Sequence, residues 1–328
     1  MTDIRRRRAL KTLLGGGVVL ASPSLWAQDR YPSKPVTLLV PQPAGGGADA
    51  LCRTLQGKLQ EALGQTVIVD NRGGAAGNIG TAAGLAAPGD GYTVTFVNLS
   101  TMALNPHLYA KPGYAVADAQ PVIWLTSVAN IVAVNPDRMP AKTMAEFIEL
   151  ARKSPGKHTY ATAGNGSGNH LGGEMLKALA KIDLLHVPYK GGGPALTALL
   201  GGEVDSAIAD PLATLPHIKS GKLRALAVTS AKRAASLPDV PTVAESGVAG
   251  YEATSWAGIV VPKSTAPATV EVLYKAFDKA LKTPEIASKL ASQLYEPVGA
   301  GPKEFAKLIA SENDKWSKLI KQIGVRLD

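Results

Sequence analysis

The chain has 328 residues, of which 45% are hydrophobic and 19% charged, and it contains 34 glycines and 23 prolines. These values place it well inside the globular range and make it long enough for two domains. The formal net charge is +9, but the basic residues are scattered and do not alternate with aromatic ones. That distribution argues against nucleic-acid binding.

Residues 1–27 have the pattern of an export signal that is removed from the mature protein. A basic stretch, "RRRRALK", precedes a short apolar stretch, "TLLGGGVVLA", and the turn-rich "SPSLWA" ends at the small residue Ala27. The apolar stretch is shorter than the roughly 20 residues that a membrane-spanning helix needs. The pair Arg6-Arg7 also fits a twin-arginine signal, so a Sec signal and a twin-arginine signal both remain open. Either signal predicts a periplasmic protein.

The mature chain is less basic than the whole sequence and has one cysteine. Removal of the signal lowers the formal net charge from +9 to about +5, because the segment carries five basic residues and one acidic residue. A mildly positive surface suits the attraction of small anions. Cys52 is the single cysteine, so no internal disulfide can form. Its apolar neighbours, one turn into a predicted helix, favour a buried small hydrophobic residue over a nucleophile.

The first part of the mature chain alternates strands with helices through short connections. Strands are predicted at 36–40, 66–70 and 92–98, and helices at 49–63, before Pro88 and from Ser100 onward. This order predicts a parallel sheet that is covered by helices on both faces.

A second unit of the same kind begins with the extended stretch 121–136. It contains a predicted helix at 143–153 and predicted strands at 158–163, 184–190, 204–210 and 223–230. The stretch 251–262 then returns to the first unit, and the chain from about 268 onward is expected to be helical.

These two units predict a two-lobed α/β fold, each lobe being a mainly parallel sheet flanked by helices. Lobe 1 comprises 28–127 and 256–328, and lobe 2 comprises 128–255. Two extended segments near 126–130 and 252–257 cross between the lobes. The expected binding cleft lies between the carboxyl ends of the two sheets.

Glycine-rich turns follow several of the predicted strands. In "VPQPAGGGADALCR", glycines let backbone N–H groups approach a ligand, and the start of the following helix adds partial positive charge. Ser100 with Thr101, the run 164–169 and the run 191–193 offer comparable donors. We expect each lobe to hold one carboxylate of a dicarboxylate. The alternative is that these glycines only form tight turns.

The same residues support an enzymatic function less well than ligand binding. Gly45, Gly47 and Ala50 fit the dinucleotide pattern G-x-G-x-x-A, and Asp70 stands near the expected position of a ribose-binding acid. The preceding "PQP" disrupts the tight turn that a pyrophosphate requires. "NGSGN" does not match the G-x-S-x-G nucleophile motif, and the histidines lack H-E-x-x-H spacing. We therefore expect no catalytic residue, metal or cofactor.

Four longer stretches carry a resemblance to a known family: "YPSKPVTLLVPQPAGGGADALCR", "VDNRGGAAGNIG", "HVPYKGGGPALTALLGGEVD" and "LRALAVTSAKRAASLPDVPTVAESGVAGYEATSWAGIVVP". Together they resemble the Bug family, the periplasmic solute receptors of tripartite tricarboxylate transporters, over essentially the whole mature chain. The resemblance implies a Venus-flytrap fold of the type II periplasmic-binding class. It also implies that backbone amides, hydroxyls and ordered waters hold a small organic acid or related metabolite, without an obligatory arginine clamp.

The resemblance assigns ligand-binding residues in both lobes. In lobe 1 they are Pro41, Ala44, Gly45, Gly46, Asp49 and Ser100. In lobe 2 they are Thr162, Ala163, Gly164, Gly168, His170 and Asp210.

The chain also departs from the family pattern at positions beside these residues. Gln42 stands where the family usually has an aromatic or small residue, and Asn169 stands where threonine or proline is commoner. These departures make Gln42 and Asn169 candidates for direct ligand contact. For Asp49 two roles remain open: recognition of the amine of an amino-dicarboxylate, or capping of its own helix start.

The sequence thus predicts a monomeric periplasmic solute-binding protein that is not an enzyme. It would capture a small organic acid or amino acid in the inter-lobe cleft and deliver it to the membrane subunits of a tripartite tricarboxylate-type transporter. A ligand sensor that signals to a sensor kinase is the alternative, because it would share this fold. An exported enzyme is disfavoured because no nucleophile or acid–base pair stands out. Which acid is bound remains open.

Overall fold

The computed structural model describes residues 31–45, 47–234, 237–293 and 295–327. The predicted signal at 1–27 and the predicted ligand-binding residue Gly46 lie outside the described residues.

The described strands belong to two sheets. The first sheet contains β1 (Val36–Val40), β2 (Val67–Asn71), β3 (Thr93–Asn98), β4 (Ala119–Val128), β10 (Ser255–Pro262) and β11 (Tyr295–Ala300). The second sheet contains β5 (Ile131–Val134), β6 (Thr159–Thr162), β7 (Leu185–Pro188), β8 (Ser206–Ala209) and β9 (Arg224–Val228). We call each sheet with the helices that flank it a lobe, the first and the second.

Helices connect most of these strands. They are α1 (Gly47–Leu63), α2 (Asn78–Leu85), α3 (Asn105–Leu108), α4 (Met144–Lys153), α5 (Gly168–Ala180), α6 (Gly192–Leu200), α7 (Pro211–Lys219), α8 (Pro267–Leu281), α9 (Pro284–Ala291) and α10 (Pro302–Ile323). Short 3₁₀ turns lie at Ala75–Gly77 and Val116–Asp118, and a π-helical turn lies at Ser100–Leu104. Within the described part of the chain, no helix has the length and apolarity needed to cross a membrane.

The strand order explains how each lobe is built, and it confirms the predicted two-lobed α/β fold. The first sheet has the order β11-β4-β10-β3-β1-β2 and the second has β7-β6-β8-β5-β9. Strand β1 is parallel to β2 and β3, and β6 is parallel to β7 and β8. Strands β10, β4 and β11 pair antiparallel in the first sheet, as does β5 with β8 and β9 in the second.

Two expectations about the sheets are therefore corrected. The sheets are mixed rather than mainly parallel, because the strands that enter from the crossings between lobes run against their neighbours. Strand β11 lies in the segment that was expected to be helical from about 268 onward. It forms an edge strand whose register shifts between Pro297 and Ala300, a position where a sheet tolerates proline.

Burial follows from the apolar strands and the inward faces of the helices. Strand β1 has buried residues along most of its length, as expected for a strand covered on both faces. Leu51, Cys52 and Leu55 of α1 are buried in the same apolar cluster as β1 and β10. Cys52 is thus a buried small residue, as predicted, and burial raises the pKa of its thiol.

A second apolar cluster contains residues from both lobes. Phe305 and Trp316 of α10 are fully buried in it, together with Leu99 of the first lobe and with Tyr160 and Leu171 of the second. The lobes therefore share buried apolar surface in this structure, and α10 contributes to it.

The two crossings between the lobes are joined by hydrogen bonds to one buried threonine. Ala129 and Asn130 alone separate β4 from β5. The Asn130 N–H donates to Thr229 Oγ1 at 2.9 Å, and the Thr229 N–H donates to the Asn130 carbonyl at 2.9 Å. The Ala253 N–H, on the return crossing, donates to the Thr229 carbonyl at 3.0 Å. Thr229 thereby links both crossings to the end of β9.

Candidate functional site

The loop between β1 and α1, which we call the first-lobe loop, lies at the carboxyl end of β1 in the first sheet. It meets the loops that follow β2 and β3. Gly77 has a left-handed φ of 95°, and a Cβ there would lie 2.9 Å from Thr101 Cγ2 and 3.2 Å from the Pro41 carbonyl oxygen. Glycine at 77 therefore allows three loops to converge at this edge of the sheet.

A polar network holds the backbone of the first-lobe loop on both sides. The Gly45 N–H donates to Asp49 Oδ2 at 2.9 Å, and Arg53 Nε donates to Asp49 Oδ1 at 2.8 Å. Arg53 Nη2 donates to Asn71 Oδ1 at 3.1 Å, while Asn71 Nδ2 donates to the Gln42 carbonyl at 3.2 Å. Both oxygens of the Asp49 carboxylate are thus engaged within the protein.

The electrostatics of this network favour an ionised Asp49. Burial of the carboxyl raises its pKa, but the hydrogen bonds from Arg53 and Gly45 outweigh burial, so the pKa lies below its ordinary value of 3.8. The carboxylate accepts the amide of Gly45 just before α1, which is close to the helix-start capping considered for Asp49, and it thereby fixes the loop.

At the third strand end, backbone and side-chain groups also bond to one another. The Thr101 N–H donates to Asn98 Oδ1 at 3.1 Å, and the Asn98 N–H donates to Thr101 Oγ1 at 3.1 Å. Ser100 is half-buried at the start of the π-helical turn beside them. Thr101 therefore shapes the turn, and Ser100 is the hydroxyl nearer to solvent.

The second-lobe loop, residues 163–167 between β6 and α5, is closed by Ser167. Ser167 Oγ accepts the His170 N–H at 3.2 Å and donates to the Gly164 carbonyl at 2.8 Å. Because Ser167 caps the helix, α5 begins at Gly168, and His170 lies inside its first turn. Asn169 Nδ2 donates to the Ile208 carbonyl at 2.6 Å, tying α5 to the end of β8.

Two histidines stack beneath the second-lobe loop. The rings of His170 and His186 are 4.1 Å apart and inclined by 18°. His170 Nδ1 accepts the Gly166 N–H at 3.2 Å, and His186 Nε2 lies 2.6 Å from Thr162 Oγ1. Burial lowers the pKa of His170, and burial together with the neighbouring His170 lowers the pKa of His186 to about 4. His170 is thus engaged with the protein's own loop.

The two lobes meet beside these loops through Tyr295 and Asp210. Tyr295, on β11, donates its hydroxyl to Oδ2 of Asp210, which follows β8, at 3.2 Å. A Cβ on Gly47 would lie 3.2 Å from Tyr295 Oη, so the absence of a side chain at the start of α1 leaves room for this phenol. Burial and Asp210 raise the pKa of Tyr295, so it remains a donor. A cavity of about 240 Å³ adjoins Tyr295 on the first lobe, and Lys289 of α9 contributes to its lining.

The second-lobe loop also contacts the first lobe directly. A Cβ on Gly166 would lie 2.5 Å from Leu327 Cδ1 and 3.0 Å from Leu108 Cδ1. A Cβ on Gly168 would lie 3.5 Å from Leu99 Cδ2. Small residues in the second-lobe loop therefore permit its close approach to an apolar surface of the first lobe.

The sequence-predicted residues fall into two groups at the facing sheet edges. Pro41, Gln42, Ala44, Gly45, Asp49 and Ser100 lie after β1 and β3 of the first lobe. Thr162, Ala163, Gly164, Gly168, Asn169, His170 and Asp210 lie at or after the ends of β6 and β8 of the second. Ala44 and Gly45 are exposed, whereas Pro41, Asp49, Thr162 and His170 are buried.

Three of the glycine-turn amides that the sequence offered as ligand donors are already bonded within the protein. The N–H groups of Gly45, Gly166 and Gly191 donate to Asp49, His170 and the Ala163 carbonyl. Backbone amides cannot remain unpaired in a tight turn without cost, so the loops satisfy part of their own hydrogen bonding. Among the described residues, the buried Gln42 Oε1 has no hydrogen-bond partner.

Sequence reasoning missed Tyr295, Arg53 and Asn71. Tyr295 lies on the unpredicted strand β11, 85 residues from Asp210 in the sequence. Arg53 could have been found from its i,i+4 spacing to Asp49, a spacing that places opposite charges together on a helix.

Two α/β lobes with loops facing each other at the sheet edges define the class of two-lobed solute-binding proteins. The chain belongs to the receptor family of the tripartite tricarboxylate transporters: the family profile described as "Tripartite tricarboxylate transporter family receptor" matches residues 51–325. This confirms the resemblance to the Bug family.

Individual relatives agree with this assignment. "Protein BugT" of Bordetella pertussis is 34% identical over 316 residues, which is 95% of this chain and 97% of that protein. The R. palustris protein Rpa4515, solved with adipate, is 35% identical with a TM-score of 0.84 over 90% of this chain and 99% of that one. MatC of Rhodopseudomonas palustris, solved with bound malate, is 28% identical with a TM-score of 0.79 over 88% and 100%. The periplasmic-binding-protein fold is therefore confirmed.

Replacement of Asp49 by asparagine should destabilise the protein by about 1–3 kcal/mol at pH 7, because two hydrogen bonds lose their charged acceptor. Urea unfolding measures this loss. The pKa of Asp49 in the folded protein lies below its ordinary value, so the carboxylate's contribution to stability is present above pH 3.8. This contribution disappears as the pH falls through the folded-state pKa, so the stabilities of the wild type and Asp49→Asn should converge in acid. The control Asp70→Asn removes the exposed Arg72–Asp70 pair and should change stability by less than about 1 kcal/mol. Equal effects of the two variants would contradict this role of Asp49.

Replacement of Tyr295 by phenylalanine should loosen the contact between the lobes, because it removes the hydroxyl that reaches Asp210. We expect the ligand-free variant to have a larger radius of gyration than the wild type in small-angle X-ray scattering. The matched control is Tyr274→Phe, whose hydroxyl donates to the Gly299 carbonyl within the first lobe at 3.4 Å. An unchanged scattering curve for Tyr295→Phe would rule out this contact as a link between lobes.

Proposed function

We propose that this protein is a periplasmic receptor that captures a small carboxylate-bearing metabolite between its lobes and delivers it to a tripartite tricarboxylate-type membrane transporter. One observation carries the proposal. The first-lobe loop and the second-lobe loop both lie at strand ends, beside the Tyr295–Asp210 hydrogen bond at which the two lobes meet. A solute lying there would contact both lobes at once, which is the condition for a ligand to favour closure.

The proposed mechanism is rigid-body closure of two lobes. We propose the boundaries 28–127 with 256–328 for lobe 1 and 128–255 for lobe 2, after removal of the signal at 1–27. The hydrogen bonds of Thr229 to Asn130 and Ala253 support the crossings near 126–130 and 252–257 as the hinge, because they hold both crossings together. Closure would then bring the first-lobe and second-lobe loops around the solute.

The proposed ligand contacts are made chiefly by backbone and hydroxyl groups. They are Pro41, Gln42, Ala44, Gly45, Gly46, Asp49, Ser100, Thr162, Ala163, Gly164, Gly168, Asn169, His170 and Asp210. Within this set, Asp49 and His170 act through the loop backbone that they hold, and Asn169 acts through its bond to β8. Ala44, Gly45 and Ser100 are more accessible. Beside the first-lobe loop, Arg53 is already paired with Asp49, and Arg72 is paired with Asp70. Carboxylate recognition would therefore depend on partial charges of the backbone.

Two kinds of observation support the proposed ligand class: the ligands of similar proteins and the chemistry of the site. Relatives are binding proteins, and two of the structures most similar in fold hold adipate and malate. We propose a dicarboxylate or related small acid, with one carboxylate held in each lobe and no catalytic step. The receptor would act as a monomer, without a cofactor, and its protein partner would be the transporter's membrane subunits.

Calorimetric titration with adipate, malate and other small carboxylic acids tests capture, with the uncharged diamide of adipate as the control ligand. We expect an acid to bind and the diamide to fail. In the exposed first-lobe loop, Ala44→Asp should weaken binding at least about tenfold, because a like charge would face the carboxylate at close range. The neutral variant Ala44→Asn, of similar size, should bind within about threefold of the wild type if charge decides the loss.

Failure of every acid to bind would overturn the proposed capture function. Wild-type affinity of Ala44→Asp would overturn the assignment of the first-lobe loop. For delivery, a strain lacking this gene should lose uptake of the acid that binds, and normal uptake would contradict the proposed transporter role.

A further inference from the structure

The stacked histidines are positioned to act on the second-lobe loop. Only 6% of His170 is exposed, and its Nδ1 accepts the Gly166 N–H. His186 stands on the neighbouring strand β7 and contacts Thr162 Oγ1, which also accepts the Gly164 N–H at 3.3 Å. The two rings thus support the loop at its middle and at its start.

Among the charged and titratable groups around the rings, Glu174 favours the protonated imidazoles, but burial outweighs it and lowers the pKa of both rings. From β6, Tyr160 lies 4.9 Å from the His186 ring and donates its hydroxyl to Glu174 Oε1 at 2.6 Å. From α5, Lys177 Nζ donates to the same oxygen at 3.1 Å. The carboxylate of Glu174 is therefore already shared by a phenol and an ammonium group. Burial of the rings and the positive charge of Lys177 both favour the neutral forms of His170 and His186.

We propose that His170 and His186 are positioning residues which hold the second-lobe loop only as neutral rings, so that acid releases the loop and weakens ligand capture. This inference rests on the proposed function, because it takes the second-lobe loop to be one of the two that grip the solute. The reason is geometric: Nδ1 of a protonated His170 carries a hydrogen and cannot accept the Gly166 N–H.

Release of the Gly166 amide would also change the contact between the lobes. Gly166 lies against Leu327 and Leu108, where a Cβ would already be too close, so a shift of this backbone changes how the loop sits on the first lobe. The pKa of His186 is about 4 and that of His170 is lowered from 6.5, which places the transition in the acidic range. Since the folded state binds protons less readily than the unfolded one, stability should also fall as the pH drops below 6.5.

The first test follows the Gly166 amide by ¹H–¹⁵N NMR in the ligand-free mature protein from pH 7.5 to pH 4. In the wild type, we expect this signal to shift together with the ring signals of His170, whose Nδ1 accepts this amide. In His170→Asn, whose Oδ1 replaces Nδ1 as an acceptor that does not titrate, the signal should stay constant. A Gly166 signal that does not follow the titration of His170 in the wild type, or that moves as much with pH in the variant, would overturn the proposal.

The second test measures malate affinity across the same pH range. From pH 7.5 to pH 4, the double variant His170→Asn, His186→Gln should lose less of its own pH 7.5 affinity than the wild type does, by about fivefold for one hydrogen bond. Titration of malate itself affects both proteins equally. His217→Asn, outside the histidine stack, is the control and should follow the wild type. Parallel pH profiles for the wild type and a folded double variant would count against the proposal.

The two tests separate failure of this inference from failure of the proposed function. If malate does not bind to the wild type at any pH, the ligand proposal is at fault for that acid, and the Gly166 signal still decides the role of the histidines. If the double variant does not fold, as judged by circular dichroism, the single variant His170→Asn provides the comparison.

Discussion

The arrangement of this molecule depends on the way that the chain passes between its two sheets. One extended segment supplies β4 of the first sheet and β5 of the second with only Ala129 and Asn130 between them. Thr229 bonds to this crossing and to Ala253 on the return crossing. Because a link of two residues cannot reach far, the ends of the two sheets are held near each other, and the loops after their strands face across a short distance.

The loops at this junction are held by their own polar groups. Asp49 and Asn71 fix the backbone of the first-lobe loop, while Ser167 and the two histidines fix the second. Such fixation lowers the entropy that a ligand would have to remove on binding, which is how preorganised sites gain affinity. It also explains why several amides that looked available in the sequence are engaged within the protein.

The contact between lobes combines a polar bond with apolar packing. Tyr295 reaches Asp210 through one hydrogen bond, and Leu99, Leu108 and Leu327 offer an apolar surface to the second-lobe loop. The apolar part favours approach without specifying direction, whereas the hydrogen bond has a defined geometry. Together they give the pair of lobes one preferred relative position in this structure.

The sequence by itself determined the fold class, the family and the two glycine-rich loops. Apolar runs of strand length and helical spacing are local properties, so the positions of β1, α1 and most later elements could be read directly. The sequence patterns of the loops are equally local, because a glycine that follows a strand indicates a tight turn or a close approach of the backbone in any fold. The predicted site residues therefore lie at or just after strand ends.

Only the tertiary structure decided which of those groups are free and which are already bonded. The bonds of Asp49 to Gly45 and of His170 to Gly166 need loop conformations that no spacing rule specifies. Strand β11 forms because an edge of the first sheet is available to it, and Tyr295 meets Asp210 across 85 residues of sequence. Pairings between distant segments depend on the packing of the whole chain, which is why sequence patterns did not contain them.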